Sequence, residues 1–99
     1  MKYHELSAEE LKSKMDQKGH LLLDVREEYE YEDNNIGGIN MPLSSVLGRI
    51  EELKRYPEIT ICCASGKRSA AMAVHLAKKL ESHKINSLKG GIESYLTHA

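Results

Sequence analysis

The sequence predicts an α/β fold built on a parallel sheet. Short apolar runs typical of buried strands alternate along the chain with stretches of helical periodicity. Glycines or a proline stand at several of the changes between them, where the chain must turn. No repeat, linker or change in composition divides the 99 residues, so we expect a single domain over residues 1–99.

The first elements are a helix, a strand and an acidic helix. Ser7-Ala8-Glu9-Glu10 has the capping-box pattern of a helix start, and Leu11 and Met15 then fall on one helical face. Residues 21–24 predict a buried strand that ends in a carboxylate. Residues 27–33 are acidic and predict a short helix, which is either a solvated face or a docking patch for a basic partner.

The middle of the chain predicts a short strand followed by a helix. Residues 39–41 form the strand, and Pro42 ends it. From residue 43 to residue 53 the apolar side chains keep helical spacing. Ser44 or Ser45 is expected to cap this helix at its start, because a serine side chain can accept a hydrogen bond from a free backbone amide.

The last elements repeat the alternation of strand and helix. Residues 59–62 predict a strand and residues 69–80 a helix with one apolar face. Residues 85–88 predict the final strand, and Gly90-Gly91 then turns the chain. Residues 92–96 predict a terminal helix. Strands alternating in this way with helices favour a parallel sheet.

Composition excludes several classes of function. The net charge is −1 and the aromatic residues are five tyrosines, so neither a nucleic-acid nor a membrane partner is indicated. Residues 1–6 lack the apolar stretch of a signal peptide, and two adjacent cysteines make a poor disulfide framework. We therefore expect a reduced, cytoplasmic and monomeric protein. No metal is expected, because none of the histidines has a ligand spacing: His4, His20, His75, His83 and His98.

The residues that suggest chemistry lie at 59–71, where a β-branched run ends in Cys63 and a turn opens the next helix. Amides of such a turn lack partners within the helix and point at whatever lies over the cysteine. The helix dipole, Lys67 and Arg68 add positive potential. Together these features favour the thiolate, the reactive form of cysteine. Cys63 also falls at the carboxyl end of a strand, where ligands of parallel α/β sheets bind.

Four segments, residues 22–27, 36–43, 63–69 and 88–92, carry a resemblance to a known family. Each is a weak signal alone, but their order is specific and they span most of the chain. With them the sequence resembles the single-domain rhodaneses, sulfurtransferases that carry a cysteine persulfide. The resemblance implies a central, mostly parallel five-stranded sheet with helices on both faces, and it implies no cofactor.

The resemblance also implies roles for individual residues. Cys63 is implied to be catalytic, and Asp24 and Arg26 to support the site as a structural carboxylate and an arginine near its mouth. The sequence departs from the family at Asn34-Asn35, where many members have Gly-His, and we expect Asn to keep the left-handed turn there. Backbone amides of the loop that follows the cysteine are implied to cradle the persulfide or bound anion: Ala64, Ser65, Gly66, Lys67, Arg68 and Ser69.

The expected activity is transfer of a sulfane sulfur from thiosulfate, or a similar donor, to cyanide, a thiol or a thioredoxin-like protein acceptor. A persulfide carrier or recognition module with slow small-molecule turnover is the alternative. A more remote alternative is an enzyme that resembles the dual-specificity phosphatases, a family of related fold, or the arsenate reductases. In those phosphatases five residues separate cysteine from arginine, whereas four separate Cys63 from Arg68, and the shorter loop should suit a single sulfur atom.

The sequence leaves the roles of several side chains open. Cys62 should point into the core, because neighbouring side chains of a strand face opposite ways. Lys67 is either a substrate-side cation or a solvated lysine. Arg68 either contacts the substrate or pairs with an acidic neighbour and braces the loop. Asp24 is expected to satisfy loop amides, and Arg26 either contacts substrate or forms a salt bridge.

Overall fold

The computed structural model describes residues 3–97, so the expectations placed on residues 1–2 and on His98 lie outside it. Its strands are β1 His4–Leu6, β2 His20–Asp24, β3 Ile39–Asn40, β4 Glu58–Cys62 and β5 Lys84–Leu88. Its α-helices are α1 Ala8–Lys14, α2 Glu28–Asp33, α3 Leu43–Val46, α4 Ile50–Leu53, α5 Lys67–Lys79 and α6 Gly91–Thr97. A single turn of 3₁₀ helix, Leu47–Arg49, joins α3 to α4.

The described strands form one five-stranded sheet in the order β1-β5-β4-β2-β3, and every neighbouring pair is parallel. This confirms the α/β prediction, with a sheet that is parallel throughout. β4 lies between β2 and β5, so its carboxyl end is flanked by the ends of two other strands. The edge strand β1 was not predicted; it is three residues long and pairs with the end of β5.

Helices cover both faces of the sheet. On one face α3, α4 and α5 pack over the larger core, which includes Leu23, Ile61 and Leu76, each fully buried. On the other face α1 and α6 pack over a smaller core that includes Leu11 and Leu88. Because successive side chains of a strand alternate between the faces, the apolar runs of β2 and β4 supply both cores.

The helical segment 43–53 is broken, and the predicted serine cap is wrong. Neither Ser44 nor Ser45 caps it with a side chain, since α3 already begins at Leu43. The amide of Leu43 donates instead to the carbonyl of Val25, at 3.1 Å, so backbone from the end of β2 satisfies the helix start. The 3₁₀ turn changes the helical register, and Leu47 is left 42% exposed.

Candidate active site

Cys63 lies immediately beyond the carboxyl end of β4, in the short connection that leads to α5. The connection needs only residues 63–66, because Gly66 adopts a φ of 100° as the N-cap of α5. That conformation is open to glycine at little cost and lets the chain reverse abruptly into the helix. The start of a 13-residue helix is thereby aimed back at the cysteine.

Two backbone amides contact the sulfur of Cys63. Gly66 N–H donates to Sγ at 3.1 Å and Ser69 N–H donates at 3.3 Å. The cysteine is only 1% exposed, so these contacts are screened from water. Backbone donors in such surroundings stabilise negative charge on sulfur better than they would in solvent. Of the amides predicted to cradle the sulfur, the structure thus brings those of Gly66 and Ser69 into contact with it.

The start of α6 holds the outer side of this loop. Ile92 N–H donates to the carbonyl of Cys63 at 2.8 Å, and Glu93 N–H donates to the carbonyl of Ala64 at 3.1 Å. Gly91 lies so close that an added Cβ would stand 2.3 Å from the Ala64 oxygen. With these carbonyls held outward against α6, the loop amides are free to turn inward. The Gly90-Gly91 pair therefore supports the cysteine loop as well as turning the chain.

The two cations of the loop have different surroundings. Lys67 is exposed at the first position of α5, and within residues 3–97 it forms no ion pair. Arg68 donates to both carboxylate oxygens of Glu30 in α2, at 3.0 and 3.2 Å. These bonds lower the pKa of Glu30 and raise that of Arg68. Arg68 therefore takes the second role left open by the sequence, pairing with an acidic neighbour.

Asp24 and Arg26 form a buried ion pair beside the site. Arg26 Nη2 lies 2.9 Å from Asp24 Oδ2, and Arg26 is 5% exposed. Asp24 Oδ1 also accepts the backbone amide of Arg26 at 3.0 Å. The same guanidinium donates to the carbonyl of Asn34 at 2.7 Å, which ties α2 to the end of β2. Arg26 therefore adopts the salt-bridge role, and its donors are directed into the protein.

The corner at Asn34-Asn35 differs from the expected turn. Asn34 has a φ of −160°, which is extended, and within the described range only glycines have positive φ. The expectation that Asn keeps a left-handed turn is therefore wrong. The positive φ values begin two residues after Asn35, at Gly37 and Gly38. Asn35 instead shapes the corner with its side chain, whose oxygen accepts the Gly37 amide at 3.0 Å.

A family profile for the Rhodanese-like domain matches residues 7–98. The chain belongs to the rhodanese-like family. Its curated relatives include a Bacillus subtilis protein named "Putative sulfur carrier protein YrkF", 40% identical over 93 residues. That match covers 92% of this chain and 50% of the relative, so the chain spans about half of the relative's length.

Solved structures agree with this membership. A rhodanese-related protein from Thermoplasma volcanium superposes with a TM-score of 0.85 at 30% identity, over 98% of this chain and 94% of its own. A thiosulfate sulfurtransferase from Pseudomonas aeruginosa superposes with a TM-score of 0.85 at 25% identity, over 97% of this chain and 19% of its own. The all-parallel rhodanese-like sheet described above is the fold that these structures share with it.

The other cysteine of this rhodanese-like domain faces the opposite side of the sheet. Cys62 is fully buried in the smaller core with Leu11 and Leu88, which confirms its predicted orientation. Burial raises the pKa of the Cys62 thiol well above its ordinary value, and the carboxylate of Asp24 acts in the same direction. Cys62 therefore stays protonated near neutral pH and is a poor nucleophile.

Residues 3–97 contain no group of three or more histidine, cysteine or carboxylate side chains placed to hold a metal ion. Over the same residues, no helix has both the length and the apolar character needed to cross a lipid bilayer.

Sequence reasoning missed two side chains that contact the predicted site residues, Glu30 and Ser87. Glu30 was included only in an acidic segment, and its pairing with Arg68 joins residues 38 apart. Ser87 hydrogen-bonds to Ser69 across a separation of 18 residues. A signal for Ser87 was present, since it occupies a strand position in phase with Ile85, where an apolar residue is usual.

Proposed function

We propose that this rhodanese-like domain moves a sulfane sulfur from thiosulfate, or a similar donor, through a persulfide on Cys63 to an acceptor. The observation that carries the proposal is the pair of amide hydrogen bonds to Cys63 Sγ from Gly66 and Ser69. These donors favour an anionic sulfur in a screened position, which is the state that a nucleophilic cysteine requires.

In the first half-reaction the Cys63 thiolate attacks the outer sulfur of thiosulfate. A new S–S bond forms to Cys63, the S–S bond within thiosulfate breaks, and sulfite leaves with the bonding electron pair. The charge of the thiolate passes to the outer sulfur of the persulfide, so total charge is conserved. Lys67, which is exposed and outside any ion pair among residues 3–97, attracts the dianionic donor to the loop.

In the second half-reaction an acceptor takes the outer sulfur. Cyanide attacks it and leaves as thiocyanate, or a thiolate takes it as a new persulfide, and in each case the electron pair returns to Cys63. The cysteine sulfur carries the same negative charge at the start and at the end of the cycle, and the amides of Gly66 and Ser69 donate to it in both states. The reaction is thus covalent and of the ping-pong type, and it requires no cofactor.

The size of the loop supports sulfur transfer over phosphate or arsenate chemistry. Four residues separate Cys63 from Arg68, and Gly66 and Ser69 already direct their amides at one atom, the sulfur. A tetrahedral oxyanion needs several donors at the distance of its oxygens from the nucleophile, as well as an arginine free to bind it. Arg68 is instead engaged in a bidentate pair with Glu30, which occupies both terminal nitrogens of its guanidinium group.

A persulfide carrier is the second candidate, and one comparison favours it. The relative from Bacillus subtilis is named as a sulfur carrier, and this chain matches half of it. In a carrier the acceptor is another protein, and turnover with cyanide is slow. The two free cysteines at residues 62 and 63 suit a reducing compartment such as the cytoplasm for either function.

Initial-rate kinetics test the proposal and separate the two candidates. We expect thiosulfate and cyanide, varied together, to give parallel double-reciprocal lines, because sulfite leaves before the acceptor reacts. Replacing cyanide with a reduced thioredoxin-like protein measures the preference for a protein acceptor. A large gain in kcat/KM with the protein favours the carrier. Intersecting lines would contradict a persulfide intermediate, and equal rates for the Cys63→Ser variant would remove Cys63 from the mechanism.

A further inference from the structure

A buried pair of hydroxyl groups connects the cysteine loop to the neighbouring strand. Ser69, in the first turn of α5, and Ser87, in β5, have their Oγ atoms 2.8 Å apart. Ser69 is fully buried and Ser87 is 1% exposed. Ser87 pairs in register with Ile61, two residues before Cys63 on β4, so both Ser87 and Cys63 lie on the face of the larger core.

The direction of this hydrogen bond follows from the partners of Ser69. Its Oγ also lies 3.1 Å from the carbonyl oxygen of Gly66, to which only a hydroxyl proton can be donated. A serine hydroxyl has one proton. Because Ser69 donates that proton to the Gly66 carbonyl, it must accept the hydrogen bond from Ser87. The protons are therefore ordered from Ser87 to Ser69 and from Ser69 to the Gly66 carbonyl.

This chain of hydrogen bonds includes Ser69 and Gly66, and the backbone amides of both residues contact the reacting sulfur. Ser69 N–H lies 3.3 Å from Cys63 Sγ, and Gly66 N–H lies 3.1 Å from it. The Ser69 hydroxyl thus links the two residues that supply the amide donors, and Ser87 joins that hydroxyl to the sheet. Since hydrogen bonds weaken steeply with distance and angle, small movements of the two amides change how well they stabilise the sulfur anion.

We propose that Ser87 is a positioning residue for the chemistry of Cys63, acting through Ser69 to hold the Gly66 and Ser69 amides against Sγ. The inference rests on the proposed function in that Cys63 is taken as the reacting group. Ser87 itself does not touch the sulfur: the described structure gives its hydroxyl one partner, Ser69.

The test compares two variants of equal shape, Ser87→Thr and Ser87→Val. Threonine keeps the hydroxyl and valine replaces it with a methyl group, so any strain from the added volume is common to both. The rate of Cys63 alkylation by iodoacetamide is followed by intact-protein mass spectrometry across a range of pH. The Cys63→Ser variant measures any alkylation of Cys62, which is subtracted. This readout does not involve sulfur transfer.

We expect Ser87→Val to be alkylated roughly threefold to tenfold more slowly than Ser87→Thr near neutral pH, the effect of one weakened hydrogen bond to a charged atom. The pH dependence of the alkylation rate of Ser87→Val should also move to higher pH. Thr60→Val is the control, because it deletes another fully buried hydroxyl on β4, on the opposite face of the sheet. It should lose stability without moving the profile.

Equal alkylation rates and coincident pH profiles for Ser87→Thr and Ser87→Val would overturn the inference. A shift of the same size in Thr60→Val would also overturn it, because general loosening of the fold would then be sufficient. If the larger side chains prevent folding, Ser87→Ala against the parent gives the same comparison. If the two variants differ as expected but the parent forms no persulfide with thiosulfate, the inference is supported while thiosulfate is rejected as the donor of the proposed function.

Discussion

Glu30 accepts two hydrogen bonds from Arg68, at 3.0 and 3.2 Å, and so joins the acidic helix α2 to the first turn of α5. Glu30 Oε1 also accepts the amide of Glu27 at 2.9 Å, where it completes the capping box of α2. One carboxylate therefore fixes the start of α2 and the side chain that closes the cysteine loop. It also places a negative charge against Arg68, which reduces the positive potential that the loop would present to the proposed anionic donor.

Replacing Glu30 with Gln should raise kcat/KM for thiosulfate by about twofold to fivefold at low ionic strength. The single glutamine oxygen can still accept from Arg68 Nη1 and from the Glu27 amide, whereas the bond from Arg68 Nη2 and the opposing charge are lost. Glu32→Gln is the matched control, because it removes the same charge from an exposed position of α2. Steady-state kinetics at low and high salt check this. An equal gain in both variants, or a fall in Glu30→Gln, would contradict it.

Replacing Gly91 with Ala should lower sulfur transfer by roughly tenfold or more and destabilise the fold by about 2 kcal/mol. The φ of Gly91 is 66°, and an added Cβ would stand 2.3 Å from the Ala64 oxygen and 2.5 Å from the Cys63 oxygen. The loop must therefore shift. Gly48→Ala is the control, since a Cβ there meets nothing within 4 Å. Activity and urea denaturation are measured for both, and parental activity in Gly91→Ala would show that α6 does not position the loop.

Replacing Cys62 with Ala should leave sulfur transfer within about twofold of the parent and lower stability by about 1 kcal/mol. The thiol is fully buried on the face away from Cys63, and burial raises its pKa, so it contributes packing rather than a second nucleophile. Turnover with thiosulfate and thermal denaturation give the two quantities. A loss of turnover in a folded variant would mean that the adjacent thiol takes part.

The stability of the parent should fall as the pH is lowered below about 6.5, in part because of His20. Burial lowers the pKa of His20 from its ordinary value of 6.5, while Glu58 opposes the shift and Lys14 assists it. His20 Nε2 lies 2.8 Å from the buried Thr60 hydroxyl. The unfolded chain then binds a proton first as the pH falls, so the stabilisation is complete above 6.5 and is lost below it.

His20→Gln should make this loss smaller, because the residue no longer titrates. Urea midpoints at pH 7.5 and 5.5 measure the change in the parent and the variant, and His75→Gln, exposed on α5, is the control. If the midpoint of His20→Gln falls by as much as that of the parent between the two pH values, His20 does not contribute to the acid sensitivity.

The periodic elements could be predicted because local residue patterns determine them. The capping box at Ser7, the apolar strands β2 and β4 and the long helix α5 all formed close to their expected positions. β1 could not be predicted, because only Leu6 of its three residues is buried and its pairing with β5 decides it. The prediction for the start of α3 was wrong for a similar reason. The amide of Leu43 is satisfied by the carbonyl of Val25, a residue distant in sequence.

The candidate site shows the same difference between features set by local sequence and features set by long-range contacts. Cys63 and its loop are contiguous in sequence, so a chemistry for them could be proposed from residue types, spacing and the family resemblance. Which loop amides contact the sulfur depends on the backbone path set by Gly66. The partners of Arg68 and Ser69 come from α2 and β5, and sheet order and helix packing bring them there. No local pattern encodes those contacts.

Intact mass after brief treatment with thiosulfate tests the central claim most directly. The reduced parent should gain the mass of one sulfur atom, and cyanide should remove it. The Cys63→Ser variant should gain nothing, and Cys62→Ala should behave as the parent does. Absence of the adduct from the folded, reduced parent would contradict thiosulfate as the donor, and an adduct that persists in Cys63→Ser would contradict a Cys63 persulfide.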